Sequence, residues 1–150
     1  AIGEFEKTDP LSIPTIPCKL LDHNEHMTVT VEAHHGCTVE VEVLQSNRQG
    51  NVYFREILLR RQTDQQVVQY GIVRLQLNCL EDRPREAILK ENTPLGRVLI
   101  EHNVLRQVEL VELWQIACGP RLAHYFQCPL DTRVYGRTAR IYFNGQPALE

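Results

Sequence analysis

Arg55 stands inside Val52-Tyr53-Phe54-Arg55-Glu56-Ile57-Leu58-Leu59, a run otherwise dominated by apolar and aromatic side chains. Read as a strand, the run alternates between two faces. Tyr53 and Ile57 then share the face of Arg55, and Phe54, Glu56 and Leu58 share the other. A guanidinium among such neighbours is costly to bury unless an anion pairs with it. Its planar fork meets a carboxylate through two parallel hydrogen bonds, which lysine cannot copy. The chemistry suggested is carboxylate recognition. The alternative is an edge arginine that snorkels to solvent or pairs with a glutamate, and the bare pattern favours it. A second candidate is Thr93-Pro94-Leu95-Gly96. Backbone N–H groups at a turn or helix start point outward without partners and can receive an anion, and glycine lets a backbone approach closely. On spacing alone, helix-start punctuation is the more economical reading. Arg137 follows Gly136, and Arg140 lies three positions on, so the two occupy opposite faces of one strand. One of them is expected to face a cavity and the other solvent.

Other chemistries find little footing. The five cysteines, Cys18, Cys37, Cys79, Cys118 and Cys128, are odd in number and form no C-x-x-C pair. A disulfide framework or structural zinc site is not expected, and burial as small apolar residues is the commoner fate of such thiols than nucleophilic catalysis. His34-His35 reads as a turn, and His23 and His26 lie in a polar loop. No metal site, phosphate loop or serine nucleophile elbow is read.

These groups need a scaffold. The 150 residues fit one domain, and 43% hydrophobic with 23% charged residues is the balance of a soluble globular protein. A net charge of −3 argues against a nucleic-acid partner. No apolar run is long enough to span a membrane, and no leader opens the chain. The chain lacks an initiator Met, so a trimmed or added start is expected. A reducing, cytoplasmic location and a monomer or weak oligomer complete this reading.

Residues 1–19, with Pro10, Pro14 and Pro17, read as an extended N-terminal arm with at most a short helical turn. Thr28–Ala33 alternates with period two, His34-His35-Gly36 supplies a turn, and Val39, Val41 and Val43 alternate with Glu40 and Glu42, which together predict a hairpin. Asn47–Asn51 reads as a loop. Val52–Arg60 and Val67–Leu77 form a second antiparallel pair around Thr63–Gln66. Short helices are predicted at Arg85–Lys90 after Pro84, at Leu95–Leu99, and at Pro120–Cys128. Leu105–Ile116 fits either a strand or a helix. Arg133–Phe143 and the residues from Gln146 flank Asn144-Gly145, a strong hairpin signal because both turn residues tolerate positive φ. The sum is an α+β single domain, an antiparallel sheet of about six strands with short helices on one side.

Four segments in this order resemble the chorismate lyase family: Leu20-Leu21-Asp22-His23-Asn24-Glu25-His26-Met27-Thr28, Val52–Leu59, Thr93–Leu99, and Tyr135-Gly136-Arg137 through Asn144-Gly145-Gln146-Pro147. The resemblance covers residues 20–150. It implies a highly twisted antiparallel sheet with an internal ligand cavity under helix–turn flaps, and it tips Leu105–Ile116 toward strand. It implies that Arg55 binds the carboxylate of substrate or product, that the amide of Leu95 contacts the ligand as the Thr93–Gly96 turn closes, and that the amide near Met27 is its partner. Arg137 is a further substrate-binding candidate. The family's second arginine aligns with Ile72, and Arg74, two residues on, is the substitute. The family's acid falls at position 152, beyond Glu150, so either the domain is truncated at its C-terminal end or Glu150 takes the role from about 6.6 Å of strand away. The activity implied is chorismate pyruvate-lyase, releasing 4-hydroxybenzoate and pyruvate for quinone or related aromatic biosynthesis, with no cofactor. The alternative is a non-catalytic small-molecule-binding domain of the same fold, as in the effector domains of GntR-type regulators, or an inactive homologue.

Overall fold

The computed structural model describes residues 2–104, 106–143 and 145–150, the side chain of Arg106 excepted. Its strands are β1 (Gly3–Thr8), β2 (Val39–Gln49), β3 (Val52–Arg61), β4 (Val67–Gln76), β5 (Arg106–Cys118), β6 (Arg133–Phe143) and β7 (Gln146–Leu149). Its helices are α1 (Thr15–Leu21), α2 (Met27–His35), α3 (Asp82–Leu89), α4 (Leu95–Glu101) and α5 (Pro120–Phe126). The fold is α+β, an open antiparallel sheet in the order β1-β5-β6-β7-β4-β3-β2 with five short helices. Among the described residues no helix is long and apolar enough to cross a membrane. Contacts divide the chain into two compact units, Ala1–Asn24 with Leu110–Ala139, and Glu25–Glu109 with Arg140–Glu150.

In the first unit Gly3–Thr8 is extended, as expected, and joins the sheet as a seventh strand, whereas Thr15–Leu21 forms the helix α1 in place of an extended arm with at most a short turn. β1 pairs antiparallel with β5 from Gly3 opposite Cys118 to Thr8 opposite Leu113. Gly3 is required there because a Cβ would lie 2.4 Å from the Ala117 carbonyl oxygen. Phe5 meets Trp114 edge-on at 6.0 Å, and the Trp114 indole N–H donates to Thr138 Oγ1 at 2.9 Å. α5 starts at Pro120, whose missing N–H costs nothing at that position.

The second unit is built on the long β2-β3-β4 ladder with β3 central. Tyr53, Leu75, Leu77, Ile88, Leu95, Val98 and Leu99 form one apolar cluster with the end of β6 and β7. Val31, Val39, Ile57 and Leu59 form another. β6 and β7 are antiparallel with Phe143 opposite Gln146, and Gly145 sits at φ +80°; Asn144, like Leu105 at the start of the predicted Leu105–Ile116 element, lies outside the described residues. The β5 segment from Arg106 is a strand, the choice the resemblance favoured.

One expectation is overturned. Thr28–Ala33 is not a strand and forms no hairpin with Val39–Val43; it lies within helix α2. The β-branched alternation of Thr28, Val29, Thr30 and Val31 suggests β structure, and tertiary contacts override it. Thr28 and Val31, three apart and on one helical face, are the buried residues, and Val31 packs on Val39, Ile57 and Leu59. Glu32 accepts from the Val39 N–H at 2.8 Å and from the Arg97 guanidinium, tying the helix to β2 and α4. Gly36 closes the helix in the left-handed region at φ +64°. The Asn47–Asn51 loop is also shorter than expected, because β2 runs on to Gln49 opposite Val52.

Candidate functional site

β3 alternates as its sequence requires. Tyr53, Arg55, Ile57 and Leu59 share a face, and Arg55 is 0% exposed on it. Directly across lie Ser46 on β2 and Val73 on β4. Tyr53 belongs to the apolar cluster that contains Leu95, Val98 and Leu99, and Ile57 to the one that contains Val31. Arg55 therefore sits at the seam between the two clusters. Its Nε, Nη1 and Nη2 are all buried and have no hydrogen-bond partner among the described residues. Such an orphaned cation is rare, because native interiors pair buried charges. Burial pushes the guanidinium pKa below its ordinary value, while the Tyr53 hydroxyl and the Glu91 carboxylate favour the charged form. Arginine keeps its proton at neutral pH even so.

Glu91 is a neighbour of Tyr53 and Arg55 that sequence spacing did not reveal. It follows α3 in the left-handed region at φ +60°. The Tyr53 hydroxyl donates to Glu91 Oε1. That bond, with a second from Ser46, holds the Glu91 carboxyl below the usual carboxylate range, and burial reinforced by the Glu91 bond pushes the Tyr53 phenol up to about 12.

The second predicted group sits where α4 begins. The first intrahelical bonds run from the Arg97 and Val98 N–H groups to Pro94 O at 3.1 and 3.2 Å, and no side chain caps the helix. The N–H groups of Leu95 and Gly96 therefore have no intrahelical acceptor. Met27 is likewise the first residue of α2, which also lacks a side-chain cap. A Cβ on Gly96 would lie 3.0 Å from Thr28 Oγ1 and 3.4 Å from His26 Cβ. Gly96 thus lets the start of α4 close onto the start of α2. Leu95 packs in the cluster that contains Tyr53, and Met27 packs against the one that contains Ile57. Thr93 is half-buried and its hydroxyl donates to Asn92 Oδ1 at 3.2 Å.

Within the second unit, Arg74 and Glu150 are not brought to Arg55. Arg74 opposes Phe54 in the ladder, on the face away from Arg55, and is exposed. The alternation that fails it is simple: Val73, not Arg74, is the residue across from Arg55. Glu150 exchanges both backbone hydrogen bonds with Arg74, at 2.9 and 3.0 Å, and so shares that outer face. Its carboxylate accepts from Arg140 Nε at 3.1 Å, with both side chains about half exposed. Arg140 is thus the solvated member of its pair with Arg137. In the first unit, the half-buried Arg137 donates to the Leu21 and His23 carbonyl oxygens at 3.3 and 2.7 Å, closing the chain after α1.

Among the described residues no three His, Cys, Asp or Glu side chains converge as a metal-binding group. The second unit thus sets a buried guanidinium on an apolar strand face, two helix starts in contact, and an anchored carboxylate within electrostatic reach of Arg55. No protein-family model matches the chain, and no curated protein matches it.

Proposed function

We propose that this chain has the chorismate lyase-like fold, with its highly twisted sheet, and acts as a chorismate pyruvate-lyase, converting chorismate to 4-hydroxybenzoate and pyruvate. The observation that carries the reading is Arg55, wholly buried with three unpartnered nitrogens on an apolar strand face. A carboxylate supplies what that guanidinium lacks, two parallel charge-assisted bonds. The N–H groups of Leu95 and Met27, at the starts of α4 and α2, are the donors that would meet the ligand's anionic end, with Gly96 keeping the two helices together.

The chemistry asks for little more than this. Chorismate carries an enolpyruvyl ether on a cyclohexadiene ring, and loss of pyruvate makes the ring aromatic. The chain's task is to fix the carboxylates, exclude water, and let one proton pass from the ring to the leaving enolpyruvyl group. Orientation in a dry site lowers a barrier by about 7–11 kcal/mol at the favourable limit. The apolar neighbours of Arg55, Tyr53, Ile57 and Val73, exclude water from the guanidinium and strengthen its pairing.

Calorimetric titration of 4-hydroxybenzoate tests the site. Arg55→Lys is expected to keep the fold and weaken binding by about 1.5–3 kcal/mol, the value of a charge-assisted hydrogen bond. Unchanged affinity removes Arg55 from the site. A second reading, a domain of this fold that binds a carboxylate effector without turnover, is favoured by one observation: Glu150, the named acid, lies on the face away from Arg55. It predicts the same binding with no release of pyruvate.

A further inference from the structure

Beside Arg55 stands a charge that the proposed reaction leaves unused. Tyr53 lies two residues along β3 from Arg55 on the same face, and Ser46 lies directly across from Arg55 on β2. Both hydroxyls donate to one carboxylate, that of Glu91. Two donors flanking Arg55 along and across the ladder locate Glu91 over the Arg55 side of the sheet. Its backbone is unusual as well. The position after a helix taken at φ +60° is ordinarily given to glycine or asparagine, and a glutamate there adopts a conformation its Cβ disfavours. Tyr53 is 3% exposed and held in its cluster, so its hydroxyl is a fixed anchor. Glu91 itself is half-buried, so solvent screens it only in part.

We propose that Glu91 is a specificity-determining residue of the Arg55 site, a carboxylate anchored by Tyr53 and Ser46 that weakens binding of anions relative to neutral ligands of the same shape. The inference rests on the reading of Arg55 as a carboxylate site. A buried guanidinium alone would hold a monoanion tightly. Glu91 offsets part of the positive field of Arg55 before a ligand arrives, and an arriving carboxylate must share Arg55 with a like charge. The consequence for a lyase is exchange: an anionic aromatic product leaves a site that would otherwise retain it.

The test compares 4-hydroxybenzoate with 4-hydroxybenzamide, which has nearly the same shape and no charge, by calorimetry on the wild-type protein, Glu91→Gln and Tyr53→Phe. Glutamine keeps an acceptor for the Tyr53 hydroxyl and removes only the charge. For a partly screened pair of charges the expected gain in Glu91→Gln is on the order of 10-fold tighter 4-hydroxybenzoate, about 1.4 kcal/mol, with the amide unchanged within roughly twofold. Tyr53→Phe frees the carboxylate from its anchor and moves the acid-to-amide ratio in the same direction by less. Should Glu91→Gln fail to fold, the Tyr53→Phe ratio carries the same decision. If both ligands weaken together, Glu91 is a structural strut and the proposal is overturned. If the ratio stays constant in both variants while Arg55→Lys still weakens the acid, the proposal fails and the Arg55 reading stands. If the wild-type protein shows no Arg55-dependent binding of 4-hydroxybenzoate, the Arg55 reading fails and takes this proposal with it.

Discussion

Replacing Arg55 by methionine should make the unliganded protein more stable. Arg55 is fully enclosed, and none of its three side-chain nitrogens finds an acceptor among the described residues. After relaxation, a buried ion still carries a penalty of several kcal/mol, and only hydrogen bonds of good geometry offset it. Here the offset is partial and comes from Tyr53, through its charge and its hydroxyl oxygen as a hydrogen-bond partner, and from the field of Glu91. Methionine spans a similar length, carries no charge and fits the apolar setting between Tyr53 and Ile57. The expected gain is about 1–3 kcal/mol, and at roughly 2–4 °C per kcal/mol for a chain of this size it should appear as a melting point higher by about 2–12 °C. Urea unfolding and thermal denaturation should both be run, without ligand and with saturating 4-hydroxybenzoate. The wild-type protein should gain about 2.7 kcal/mol at a ligand concentration of about 100 Kd, and the variant nothing. The reasoning is refuted if Arg55→Met lowers stability by more than about 1 kcal/mol without ligand, because the guanidinium would then already be compensated within the protein.

Three further outcomes follow from the same contacts. Gly96→Val should destabilise by about 1–3 kcal/mol through overpacking, since even a Cβ would lie 3.0 Å from Thr28 Oγ1, and Thr28→Ala in the same chain should recover part of the loss in chemical denaturation. Tyr53 should confer alkaline sensitivity: its folded-state pKa is raised to about 12 from 10.0, so its contribution is complete below pH 10 and lost as the pH rises toward 12. Stability curves should show a loss on the order of 2 kcal/mol across that window which Tyr53→Phe lacks. Arg137→Met should cost about 1–3 kcal/mol in urea unfolding, because the Leu21 and His23 carbonyls lose a charged donor.

Legibility in the sequence tracked how local each cause was. β3 and β4 were readable because apolar residues alternate over Val52–Arg61 and Val67–Gln76 around a polar turn, and the start of α4 because Pro94 marks it. Arg55 was readable as a candidate because its immediate neighbours are apolar, although its lack of a partner is a tertiary fact. α2 was misread because Thr28–Val31 carry strand-like side chains and the contacts that make them helical come from β2, β3 and α4. The Gly36 cap after His34-His35 was the available signal. Arg74 and Glu150 were misplaced for a different reason. Alignment by segment does not fix which face a residue takes, and a shift of one residue in register reverses it. Glu91 lay beyond reach, since it meets Tyr53 across 38 positions with no motif between them.

The central claim is turnover of chorismate, and product stoichiometry tests it most directly. Native protein incubated with chorismate, with pyruvate read by coupled reduction and 4-hydroxybenzoate by chromatography, should release the two in equal amounts, and Arg55→Met should reduce the rate at least tenfold. Binding of chorismate with no pyruvate above the spontaneous background would contradict the lyase account and leave the carboxylate-effector reading in its place.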